Sequence, residues 1–86
     1  MKILWGGRLE KNGRRHSENR AIKRGISLAM IQQTIAQAEV VVIQSEDCNR
    51  YYKTFDKCLC VVAVTKIMNR HEVITCFWEG PDEHSL

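Results

Sequence analysis

His16, Arg20 and Arg24 stand four residues apart in the stretch HSENRAIKRGIS. On a helix that spacing keeps them on one slowly drifting stripe. An imidazole transfers protons near neutrality, and a guanidinium grips two phosphate oxygens through its planar fork. Holding and attacking a phosphodiester takes a proton-transfer group, as base or acid, and cations on the phosphate. His16 fits either proton role, and Arg20 fits the phosphate. Blander roles suit the same residues: a histidine that caps or packs, and arginines that are solvated or paired with Glu18.

Charge points the same way. Through Gly25 the chain has eight Lys/Arg against Glu10 and Glu18, a net +6, which leaves −3 for the remainder of a chain of net charge +3. A basic segment of this kind suits an anionic partner, with nucleic acid first and an acidic protein second. A solvated basic helix is the plain alternative. Arg14 and Arg15 lead into the stripe, and Arg24 ends it. Tyr52 and Lys53 offer a stacking ring and a further cation on a later strand. Alternation sends Tyr51 and Tyr52 to opposite faces, so only one of them can reach a site. Lys66 extends an anion-binding face or simply keeps the surface soluble.

The elements that must position these groups can be read in order. Met1 to Trp5 is short and apolar, suited to a brief strand or a packed arm. Gly6-Gly7 breaks it, and Asn12-Gly13 marks a turn. The first helix is expected from about Arg14 to Arg24, closed by Gly25 in the left-handed conformation and by an apolar contact from Ile26. Ser27 is a good N-cap for a second helix reaching about Ala38, with Leu28, Ile31, Ile35 and Ala38 as its apolar stripe. From Glu39 the period changes to that of strands: VVVIQS, RYYKTF, CLCVVAVTK and HEVITCFW, joined by short turns. The expected fold is α+β, two N-terminal helices packed on one face of a four-stranded antiparallel meander. Leu28, Ile31, Ile35, Val61, Val64 and Ile74 are expected to be buried. Gly80-Pro81 should stop the last strand.

At 86 residues the chain holds one domain, 1–86, with its core in 14–78 and a polar tail in 79–86. Its apolar runs are too short to span a bilayer. No secretory leader is recognisable, so a cytoplasmic location is expected, reached in some settings as a domain of a larger exported protein. Cys48, Cys58, Cys60 and Cys76 match no zinc spacing, and the last three suit buried, free thiols. Neither a structural metal nor a cofactor is expected. His71, near a hairpin mouth, and His84, in the tail, are read as structural.

The motif His-x-x-x-Arg-x-x-x-Arg-Gly-Ile-Ser, followed by an apolar helix and strands ending in Val-Ile-Thr, resembles a small family related to RelE-type toxins. That family falls within the wider group of barnase, EndoU, colicin and RelE-like folds. The resemblance covers about residues 14 to 78 and is sharpest at His16, Arg20, Arg24, Gly25, Ile26 and Ser27. It implies a metal-independent ribonuclease toxin, neutralised by a cognate antitoxin or immunity protein. It carries a catalytic role to His16, a phosphate role to Arg20 and a polar last-strand contribution to Thr75. The GGRLEKNGRR lead-in departs from the pattern.

Three classes of function follow. The first is a ribonuclease acting on tRNA or mRNA through 2′-hydroxyl attack. The second is a silent nucleic-acid-binding module on the same basic face. The third is an interaction or inhibitor module whose basic helix docks an acidic protein.

Overall fold

A computed structural model describes residues 1–80, so Pro81, His84 and most of the expected tail lie outside the described residues. Seven elements follow in order: β1 (Lys2–Trp5), α1 (His16–Lys23), α2 (Leu28–Ala36), β2 (Val40–Ser45), β3 (Cys48–Thr54), β4 (Cys58–Lys66) and β5 (Arg70–Glu79).

The sheet corrects the four-stranded meander. It has five strands in the order β1-β5-β4-β3-β2. β2 to β5 pair antiparallel as successive hairpins, but β1 runs parallel to β5, with Lys2 opposite Arg70 and Trp5 opposite Val73. The short arm KILW fills an edge of β5 that a meander would leave open, and the chain between this parallel pair runs through both helices to β2 at the opposite edge and back through β3 and β4. Gly6 extends the ladder by donating to Val73 O at 2.8 Å.

Both helices cover one face of the sheet. Ala21 and Ile26 from the α1 end and Ile31 and Ile35 from α2 meet Leu59, Val61, Ala63, Val73 and Cys76. Strand alternation therefore turns Val62, Thr75, Tyr52 and Phe77 to the opposite, helix-free face. The expected core holds at Ile31, Ile35 and Val61 but not elsewhere. Leu28, the first residue of α2, is 44% exposed; Thr34 is buried in the stripe instead, its hydroxyl donating to Met30 O. Ile74 is 40% exposed because the β4–β5 register slips beside it, pairing Ala63 with Val73 and Val62 with Thr75. Val64 is half-buried opposite Glu72 on the helix-free face. Cys60 and Cys76 are buried and Cys58 is half-buried, all free, as is Cys48.

The connection between the helices forms as its residues dictate. Gly25 takes φ +69°, and its N–H donates to Ile22 O while that of Ile26 donates to Ala21 O, the paired bonds of a Schellman cap. Ile26 is buried, and the Ser27 hydroxyl accepts from the Met30 N–H at 3.1 Å.

Candidate functional site

The site is assembled by the lead-in to α1. After β1 the chain doubles back: Leu9 bridges Arg15, Glu10 N–H donates to Arg14 O, and Gly13 turns at φ +83°. Gly7 lies at φ +86°, and a Cβ there would fall 2.9 Å from His16 Cβ, so only glycine lets the loop pass this close to the helix start. Ser17, fully buried, ties the helix down by donating from its hydroxyl to Gly6 O at 2.8 Å. Two consequences follow for chemistry. His16 is held at the first turn, and Glu10 is brought beside it.

Glu10 Oε2 lies 3.0 Å from His16 Nδ1, and its other oxygen accepts from the Asn19 amide. One turn along, Arg20 Nε donates to His16 Nε2 at 3.3 Å. Because an arginine Nε is always a donor, Nε2 must be the acceptor, which leaves the proton on Nδ1 facing Glu10. The hydrogen bonds from His16 and then from Asn19 hold Glu10 below the usual carboxylate range, so it is ionised at neutral pH. A carboxylate, an imidazole and a guanidinium thus stand in a row along a shallow open cleft of about 260 Å³, with Lys23 at its end. Such a row can orient an imidazole, support its charged form and present a cation to an anion beside it.

The other expected site residues separate into three places. Arg14 and Arg15 sit exposed in the turn before α1, and Arg15 reaches back toward Gly7 O at 3.5 Å. Arg24 has drifted off the His16–Arg20 line. Its Nη1 donates to Cys76 O at 2.7 Å, while the Trp78 indole N–H donates to Arg24 O at 2.7 Å. Lys53 is on the helix side too, its Nζ 5.9 Å from the centre of the Phe55 ring. Thr75 and Tyr52 lie on the helix-free face, flanking Val62 and Cys60 of β4. The sheet therefore stands between Thr75 and the His16 cleft, and the structure does not bring them together. Tyr51 is the tyrosine that faces the helices, and it is buried against His71.

Glu10 and Asn19 are the residues that sequence reasoning missed. The only signal was a carboxylate six positions before His16 across an Asn-Gly turn, in the lead-in that fits no motif. Cys76 is buried, and burial pushes its thiol up to about 11 against the pull of Arg24.

Comparison with protein-family models, with curated proteins and with solved structures returns no match. No helix among the described residues is long and apolar enough to cross a membrane.

Proposed function

We propose that this chain is a metal-independent ribonuclease related to RelE-type toxins, working from the Glu10–His16–Arg20 row. The observation that supports this best is the proton arrangement: Nδ1–H against a carboxylate and the Nε2 lone pair beside a guanidinium. When an RNA phosphate enters the cleft, Arg20 turns from Nε2 to the phosphate oxygens. His16 Nε2 then takes the proton of the 2′-hydroxyl, and the 2′-oxygen forms a bond to phosphorus as the bond to the 5′-oxygen breaks. The departing 5′-oxygen takes a proton from solvent water and His16 then returns its own proton to solvent, leaving a 2′,3′-cyclic phosphate and a 5′-hydroxyl. Glu10 stabilises the imidazolium formed on the way, and Lys23 adds a second cation. RNA, either tRNA or mRNA, is the substrate, and cleavage takes place in the cytoplasm. A cognate antitoxin or immunity protein would neutralise the chain by laying acidic residues over the basic segment.

Cleavage of free and ribosome-bound RNA in EDTA tests the proposal. Wild type should yield cyclic-phosphate ends, and RNA lacking the 2′-hydroxyl at the cut should resist. His16→Ala should lose about a hundredfold or more, the scale of general acid–base catalysis, while keeping its fold. Arg20→Ala should lose activity as well. Intact RNA throughout, or a fully active His16→Ala, would refute it. One observation favours a second reading, a silent nucleic-acid-binding module: Arg20 already occupies the lone pair that a base must offer. That module would bind RNA with a steep salt dependence and leave it uncut.

A further inference from the structure

A second cleft opens at the other end of α1, where the helix cap meets the β3–β4 turn. It encloses about 430 Å³ and is lined by Arg24, Met30, Phe55, Asp56, Lys57 and Trp78. Phe55 and Trp78 meet edge to face at 6.5 Å and 90°, so two rings at right angles border the space. The indole cannot swing freely, because its N–H is committed to Arg24 O. Arg24 is fixed at the rim by one guanidinium nitrogen on Cys76 O, and its other N–H groups have no hydrogen-bond partner among the described residues. Lys57 makes no ion pair among those residues, and Lys53 lies over Phe55. Asp56 is the carboxylate on this lining. Two lining cations against one carboxylate, beside a hydrogen-bonded indole and a phenyl ring that Lys53 overlies, make an environment for a flat, π-rich group that carries a negative charge.

We propose that this cleft is a nucleotide subsite, in which a base stacks on one of the two perpendicular rings and meets the other edge-on, while its phosphate meets Arg24 and Lys57. The inference rests on the ribonuclease reading for its place in catalysis. Arg24 lies eight residues from His16, a rise of about 12 Å along the helix. A single strand leaving the His16 cleft past Arg20 and Lys23 would run along α1 to the second cleft. The subsite would then hold a nucleotide flanking the bond that is cut, and it would act through substrate affinity.

Titration of the whole chain with 5′-AMP, 5′-UMP and inorganic phosphate, followed by amide and indole N–H resonances, tests this. The expected result is a saturable shift of the Trp78 indole and Gly25 amide signals with either nucleotide, and little change with phosphate alone. Phe55→Leu and Lys57→Ala should each weaken nucleotide binding about fivefold or more, as expected for losing one stacking or one charged contact. If RNA is cleaved, the same variants should raise KM with kcat nearly unchanged. Equal shifts with phosphate would overturn the base-stacking claim. Shifts confined to the His16 cleft, or no shift at Trp78, would overturn the subsite. Nucleotide binding here by a chain that cleaves no RNA would leave the subsite standing and remove the ribonuclease. Cleavage with a KM indifferent to Phe55 and Lys57 would do the reverse.

Discussion

Two histidines of this chain differ in what surrounds the ring, and the difference sets opposite expectations. His16 sits at the surface with both nitrogens engaged, by Glu10 and Arg20. Replacing Glu10 with glutamine keeps an oxygen for Nδ1–H but removes the charge that supports an imidazolium. Under the ribonuclease reading, Glu10→Gln should lower kcat by about tenfold or more with KM little changed, measured on a single RNA substrate. His71 is buried edge-on to Tyr51 at 6.2 Å, and its Nδ1 has no hydrogen-bond partner among the described residues. Burial, and then the charge of the chain's amino group, holds it below the ordinary imidazole value of 6.5. The core thus accepts the neutral ring. The stability this provides is present above about pH 6.5 and is lost as pH falls toward the depressed folded value, because the unfolded chain takes up the proton first. Melting temperature should therefore drop between pH 7 and 5, and His71→Phe should flatten that drop. An unchanged slope in the variant would assign the loss to other groups. Glu10 titrates in a more acidic window, since its depressed value loses stability only as pH falls below the usual carboxylate range.

At the scale of elements, two glycines do different work with the same backbone conformation. Gly25 caps α1 at φ +69° with open space where a Cβ would stand, so Gly25→Ala carries only the left-handed penalty, about 1 kcal/mol. Gly7 at φ +86° adds a collision with His16 Cβ. Gly7→Ala should therefore destabilise more than Gly25→Ala in urea unfolding, and it should also impair any His16-dependent cleavage. Gly25→Ala should leave that cleavage largely intact. Equal effects of the two on stability and activity would show that the lead-in loop does not set the position of His16. The Schellman cap also explains why Arg24 leaves the stripe: beyond Lys23 the helix ends, and its side chain follows the cap toward β5.

At the scale of the whole molecule, the sheet's two margins are unlike. One is β1, locked in parallel to β5 and flanked by the lead-in loop. The other is β2, where Val40, Val41, Val42 and Ile43 are all between 44% and 79% exposed and no charge interrupts the strand. An unprotected apolar edge invites intermolecular strand pairing. Ile43→Lys, at the most exposed of these positions, should reduce light scattering at high concentration while leaving the melting temperature nearly unchanged. A marked loss of stability would mean that Ile43 packs against the domain after all.

Local periodicity was enough to locate both helices, the Gly25 cap, the Ser27 N-cap and the four hairpin strands, because each depends on residues close in the chain. His16 and Arg20 were legible for the same reason, being one helical turn apart. Placing Thr75 was not: alternation says only that neighbours point to opposite faces, and which face the helices cover is decided by packing. The slip beside Ile74 then shifted the phase of the last strand, so a residue count from Val73 would misplace its second half. β1 could be seen as a short apolar segment, but its parallel partner is the last strand, and no local pattern encodes so distant a pairing. Glu10 is the clearest case, an ordinary surface acid until the loop closes on α1 and sets it against His16.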